Sequence, residues 1–180
     1  RNISGGSSSF RRRFFDMMIS TLDGGYLTAL NNYCRALSQR NRALKQKEQA
    51  AVAAAFEPEM AVNAPLIARQ RRIYAKLVEE EVNRMLAEDG NLEFRIVCRT
   101  DYPENAAEYR EMLERSRPKE QLRACTLSGP QLDEFDFLLN GKLLRYYGST
   151  GQIRIVSLLL KLAEFNLVRR AAKEPVAVLV

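Results

Sequence analysis

The chain has 180 residues, no histidine, three cysteines and a hydrophobic fraction of 46%, enough for a real core in one or two domains. Without histidine, Ser-His or Cys-His catalysis and histidine-ligated metals are excluded within this chain. The net charge of +6 is uneven: the first 76 residues hold 13 Lys/Arg against 5 Asp/Glu and the rest 15 against 17, so the first part suits a polyanionic partner or a solvated basic face.

Cys34, Cys98 and Cys125 lack metal-ligand spacing. An odd count without CxxC fits a reducing, cytoplasmic compartment, and all three read as small buried hydrophobes. No apolar run is long enough to span a membrane, so no membrane partner is expected. The chain does not begin with Met and stops within an apolar run, so it is expected to be a piece of a longer protein.

Residues 3–8 read as a loop, with Ser9 capping a helix over 10–20. Arg11, Arg12 and Arg13 in its first turn oppose the helix dipole, so either a phosphate or carboxylate partner favours them, or two are solvated and one forms an ion pair. Asp23-Gly24-Gly25 reads as a turn. A long helix follows from Tyr26 to about Ala55, with Tyr26, Leu30, Tyr33, Leu37 and Leu44 at helical spacing. Glu57-Pro58 breaks the run, and Pro58 suits a first helical turn. A second long helix extends to about Ala87, with a kink or late start at Pro65. Two such helices suggest an antiparallel hairpin. Basic residues flank it at Arg40, Arg42, Arg69, Arg71 and Arg72.

Residues 92–99 alternate as a strand. Residues 103–117 form an amphipathic helix, and 119–122 either extend it or form another turn. Residues 123–127 read as a short strand running into Ser128-Gly129-Pro130. Two further runs, 135–139 and 142–146, flank Asn140-Gly141, a strong signal for a type I′ hairpin. Asp133 and Glu134 read as structural or interdomain carboxylates, since no histidine or metal-site partner is near. Tyr146 and Tyr147 read as packing residues of the hairpin.

The richest stretch is Arg145–Lys161. Gly148, Ser149, Thr150, Gly151 and Gln152 sit between a β-rich run and an apolar helix. Small residues at a helix N-terminus leave orphan N–H groups and a positive dipole end that favour a phosphate. They equally suit a turn that only starts a core helix. Behind the turn, Arg154, Ser157, Lys161 and Glu164 form one polar stripe, and apolar residues fill the remaining circumference, so the helix is expected to be buried on most sides.

Four segments occur together and in an order that resembles the RecF family. They are Gly6-Ser-Ser-Ser-Phe-Arg-Arg-Arg-Phe-Phe-Asp16, Tyr33-Cys-Arg-Ala-Leu-Ser-Gln-Arg-Asn41, Leu127-Ser-Gly-Pro130 and Tyr147-Gly-Ser-Thr-Gly-Gln-Ile-Arg154; the helix Ser157–Glu164 is similar too. The resemblance implies an α+β or α/β fold: part of an ABC-type ATPase head, its signature-motif lobe, with an inserted antiparallel helical hairpin arm. On that pattern 1–22 is a head segment, 23–118 the arm with a short strand, and 119–180 a head segment with the hairpin, the signature helix and the Walker B strand at 176–180.

It further implies a slow, DNA-stimulated ATPase of recombinational repair, replication-fork maintenance and the SOS response. Such a protein dimerises over ATP and Mg2+ at junctions of double- and single-stranded DNA. It works with RecO and RecR to load RecA. Gly148, Ser149, Thr150, Gly151 and Gln152 then correspond to the signature motif that meets ATP on the opposite subunit. Arg11, Arg12, Arg13, Arg40, Arg42, Arg69, Arg71 and Arg72 become DNA-binding candidates. No GxxxxGK[ST] is present, so this chain alone is expected neither to hold nor to hydrolyse ATP. Gln131-Leu132 stands where the family usually has His-Arg. The alternative reading is a nucleotide-independent helical interaction module on a small α/β base.

Overall fold

The computed structural model describes residues 3–87 and 92–172, those at 47–50 by backbone alone. The expected strand at 176–180 lies outside them. The described residues divide into two compact units, one drawn from Arg1–Asp23, Arg71–Arg99 and Glu134–Val180, the other from Gly24–Gln70 and Thr100–Asp133.

The first unit is built on a three-stranded antiparallel sheet in the order β1 (Phe94–Arg99), β2 (Glu134–Leu139), β3 (Lys142–Leu143). Side chains alternate across it. Phe94, Ile96, Phe135, Phe137 and Leu139 are buried on one face. Phe15 of α1 (Ser8–Leu22) stacks on Phe135 with ring centroids 4.0 Å apart. The Asn140-Gly141 turn has positive φ at both residues, 49° and 74°, as the type I′ hairpin requires. The strand then stops at Leu143, because residues 144–147 form a one-turn helix, α5 (Leu144–Tyr147), instead of extending β3 to 146 as expected.

β1 would offer an open edge, and α3 (Glu57–Leu86) covers it. Asn83 bonds both the N–H and the C=O of Phe94, and Glu79 accepts from Ile96 N–H at 2.7 Å. Side chains thereby satisfy an edge that otherwise invites foreign strands. Between these two on α3, Glu81 is buried and accepts from Arg84, and from Asn166 and Arg170 of α6 (Thr150–Ala171).

Arg84 first, then Asn166 and Arg170, hold the Glu81 carboxyl down to about 2 from its ordinary 4.5. A depressed carboxylate pKa contributes stability above the unfolded value and loses it as pH falls through the folded value. Thermal midpoints should therefore fall between about pH 4.5 and pH 2. Glu81→Gln should flatten that part of the profile; an unaltered slope in the variant would show that Glu81 does not contribute.

In the second unit, α2 (Gly24–Lys45) ends ten residues before the expected position. Residues Lys47–Phe56 form a 3-10 helix that folds back along it, burying Ala53 beside Ala43 and Leu44. α3 starts at Glu57 with Pro58 in its first turn, as the sequence predicts, and runs past Pro65 without ending. α4 spans Ala106–Arg123 with Pro118 inside it, and Asn105 caps it through the N–H groups of Ala107 and Glu108.

No strand forms at 123–127. Ala124 takes a left-handed conformation that ends α4. The following amides are satisfied by side chains instead of a neighbouring strand: Thr126 N–H donates to Asn41 and Leu127 N–H to Glu120, both at 2.8 Å.

Three smaller expectations, the cap of α1, the turn at 23–25 and the buried cysteines, are corrected. Ser7 rather than Ser9 caps α1, and Asp23 ends it as Gly24 opens α2. Cys34 is exposed, while Cys98 and Cys125 are half-buried. No helix among the described residues is long and apolar enough to cross a membrane.

Candidate functional site

Gly148–Gln152 joins α5 to α6. Gly148 N–H donates to Leu144 O at 2.9 Å, closing the one-turn helix. A Cβ at Gly148 would lie 2.6 Å from that same carbonyl, so glycine is required by the chain's own packing. Ser149 then takes extended backbone and caps α6. Its Oγ accepts from Gln152 N–H at 3.2 Å, and Gln152 Oε1 accepts from Ser149 N–H at 2.9 Å. This reciprocal pair is a capping box.

The box satisfies two of the orphan donors at the helix end. The N–H groups of Thr150 and Gly151 remain, and Ser149 Oγ, occupied as an acceptor, still has its own O–H to donate. Residues 149–152 are all exposed. Gly151 has no steric need of its own: a Cβ there would meet only Ser149 Oγ, at 3.8 Å. Glycine in a helix costs up to about 1 kcal/mol relative to alanine. Its presence here is unexplained by packing within this unit.

α6 is not the deeply buried helix the sequence suggests. Only Val156, Leu160 and Ala163 are buried, while Ile155, Leu158 and Leu162 are 57%, 61% and 41% exposed. Ser4 ties it down: its N–H donates to Ser157 Oγ and its hydroxyl to Ile153 O. Lys161 reaches Glu164 at 2.7 Å and lies over the Phe14 ring. Tyr146 and Tyr147, expected to pack, are 69% and 72% exposed.

The basic candidates separate sharply. Arg11 is buried and donates to Gly6 O, Ser8 Oγ and Glu134. That pairing supplies the carboxylate which an arginine in a first helical turn calls for. Arg40 is wholly buried, held by Thr126 Oγ1, Glu57 and Glu120 at 2.8, 3.0 and 2.6 Å. Arg71 is buried against Asp16, which accepts from both Nε and Nη2. These three are corrected from DNA contacts to internal ion pairs, because a guanidinium enclosed by carboxylates cannot reach a phosphate. Arg13, Arg42 and Arg69 are exposed, and Arg12 and Arg72 are half-buried.

The Ser-Gly-Pro element belongs to the second unit. Gly129 has φ 131°, and a Cβ there would collide with the hydroxyls of Tyr33 and Tyr109. Burial, above all, raises both phenols well above their ordinary range, so each keeps a proton to donate. Tyr109 donates to Ser128 O and Tyr33 to Gln131 Oε1. Gln131 thus has a local task where the family pattern places His. Asp133 is buried and accepts from Tyr102, while Glu134, within the first unit, accepts from Ser8. Both are structural carboxylates, as the sequence suggests.

The sequence alone gives Arg145 no role. Its partners, Glu134 and Asp136, alternate along β2, and that period-two spacing of carboxylates is the signal that could have pointed to it. Among the described residues, no group of three or more His, Cys, Asp or Glu is placed to hold a metal ion.

No family model matches the chain. Its sequence is 34% identical over 173 residues to the DNA replication and repair protein RecF of Lachnoclostridium phytofermentans, covering 92% of this chain and 47% of that protein. The RecF proteins of Heliobacterium modesticaldum and Bacillus subtilis are 34% and 32% identical, over 94% and 96% of this chain and 49% and 51% of theirs. The fold matches a solved structure of the recombination mediator protein RecF-ATPrS in the RecFOR pathway. There the TM-score is 0.87 and the identity 27%, over 97% of this chain and 50% of that one. The chain spans about half the length of the curated relatives it matches.

Proposed function

We propose, on the premise that this chain matches about half of a RecF protein in both sequence and fold, that its Gly148–Gln152 turn engages the triphosphate of an ATP held by a second copy of the whole protein. The carrying observation is the exposed cap in which Gly151 is free of any internal steric demand. A glycine at that point lets a foreign phosphate approach the backbone. Thr150 and Gly151 N–H and the Ser149 hydroxyl donate to it, and the α6 dipole adds a favourable field. Mg2+ would arrive with the nucleotide and neutralise part of its charge.

Each charge-assisted bond contributes about 1.5–3 kcal/mol, and two-fold symmetry uses each twice. Association therefore depends on the terminal phosphate, and hydrolysis releases it. The whole protein is then an ATP-dependent DNA-binding protein of replication and recombinational repair. Its partners in this reading are RecO, RecR and junction DNA, with RecA loading as the outcome. Among the candidate arginines, exposed Arg13, Arg42 and Arg69 are best suited to phosphate contact. Such contacts make binding salt-sensitive and weakly sequence-specific.

Ser149→Ala in the full-length protein tests the turn. The lost cap costs the fold about 1 kcal/mol, while two lost phosphate bonds weaken ATP-dependent dimerisation roughly a hundredfold or more. Light scattering at graded ATP reads the dimer. Wild-type association of the variant would remove the turn from the interface.

A further inference from the structure

We propose that Arg145 is a positioning residue that sets the Gly148–Gln152 turn through Glu134 and Asp136, an inference that rests on the nucleotide-facing reading of that turn. α5 has only four residues, and one helical turn is not stable alone. Two of its four side chains, Tyr146 and Tyr147, project into solvent. The orientation of the segment therefore depends on the other two. Leu144 is buried beneath it. Arg145, whose side chain is 27% exposed, places Nη1 3.5 Å from Glu134 Oε2 and Nη2 3.4 Å from Asp136 Oδ1. Its guanidinium also lies 4.7 Å from the centre of the Tyr146 ring, which limits the swing of the side chain.

Glu134 and Asp136 are alternate residues of β2 and so share a sheet face. Each has a closer partner of its own. Glu134 accepts from Ser8 at 2.5 Å and from Arg11 at 3.3 Å. Arg99 meets Asp136 at 2.6 Å. The carboxylates are thus fixed to α1 and β1 before Arg145 reaches them. Removing Arg145 leaves neither carboxylate without a cation, since Arg11 still meets Glu134 and Arg99 still meets Asp136, so the sheet survives its loss. What is lost is the second tether of α5, and with it the angle at which Gly148 hands the chain to the Ser149 cap.

The test compares Arg145→Met, which keeps the stem and removes the charge, with Arg145→Lys and Ser149→Ala in the full-length protein. Two quantities are read: ATP-dependent dimer affinity, and amide hydrogen exchange at Gly148, Gln152 and Ile153. Arg145→Met should speed exchange at those three amides and weaken the dimer roughly tenfold, the size of one partly buried charge contact. Thermal midpoint and exchange in β1 and β2 should stay at wild-type values. Arg145→Lys should recover part of both losses. Unchanged exchange at the three amides in Arg145→Met overturns the positioning role, whatever Ser149→Ala does. Faster exchange with wild-type dimerisation in Arg145→Met, when Ser149→Ala does weaken the dimer, overturns it too and leaves the reading of the turn intact. Wild-type dimerisation of Ser149→Ala overturns that reading, and the proposal with it.

Discussion

Gly151→Asp should abolish ATP-dependent dimerisation while leaving the fold as stable as before, or more so. The two effects have opposite physical origins at one position. Within the chain, a Cβ at Gly151 meets ordinary contact distance only, at Ser149 Oγ. A helical glycine costs up to about 1 kcal/mol relative to alanine, and aspartate recovers part of that. A carboxylate in the first turn of α6 gains about 0.3–1 kcal/mol more from the helix dipole. Toward a bound triphosphate the same carboxylate is repulsive. At 4 Å and an effective dielectric of 20, one like-charge pair costs about 4 kcal/mol. Symmetry imposes that cost twice, so the dimer is lost across working concentrations. Light scattering with ATP reads the association, and a thermal melt reads the fold. A dimer of wild-type affinity in a variant whose melt is unharmed would show that no anion approaches this turn.

Arg40→Ala should destabilise the second unit by about 3–5 kcal/mol, the cost of leaving buried carboxylates without their cation. Against a domain stability of about 5–15 kcal/mol this is a large share. Arg40 and Glu120 have side chains with no exposure, and Glu57 is nearly as enclosed. Arg117 also pairs with Glu57, at 2.8 Å, so Glu57 keeps one cation, while among the described residues Glu120 loses the one that pairs with it. Glu120 therefore carries most of the penalty. Urea titration should show a midpoint well below wild type, and adding Glu120→Gln to Arg40→Ala should recover part of it. Simple additivity of the two changes would mean that they do not act through one network. A wild-type urea midpoint in Arg40→Ala would restore Arg40 to the list of surface arginines.

Elements that rest on local chemistry were legible from the sequence. Asn140-Gly141 specifies its hairpin because both residues must take positive φ. The small residues Ser149–Gln152 before an apolar run specify a helix start, which the structure closes with a capping box. Pro58 opens a helix because its missing N–H is not needed there. Each of these depends on residues within a few positions, so periodicity and turn chemistry suffice. The same locality misleads where two local states compete. Residues 144–147 have strand-like composition yet form a helical turn, which Gly148 N–H closes on Leu144 O.

The sequence by itself therefore determined the Asn140-Gly141 hairpin turn, the helix opened at Pro58 and the start of α6 behind a turn of small residues, since hydrogen bonds and dihedral preferences there are settled over three or four residues. Only the tertiary structure decided which arginines remain available to a polyanion. Arg11, Arg40 and Arg71 meet their carboxylates across 123, 80 and 55 positions, and a charge shows no preference for one distant partner until the fold brings them together. It likewise left Ile155, Leu158 and Leu162 of α6 exposed, because burial depends on what packs against a helix and not on how apolar the helix is.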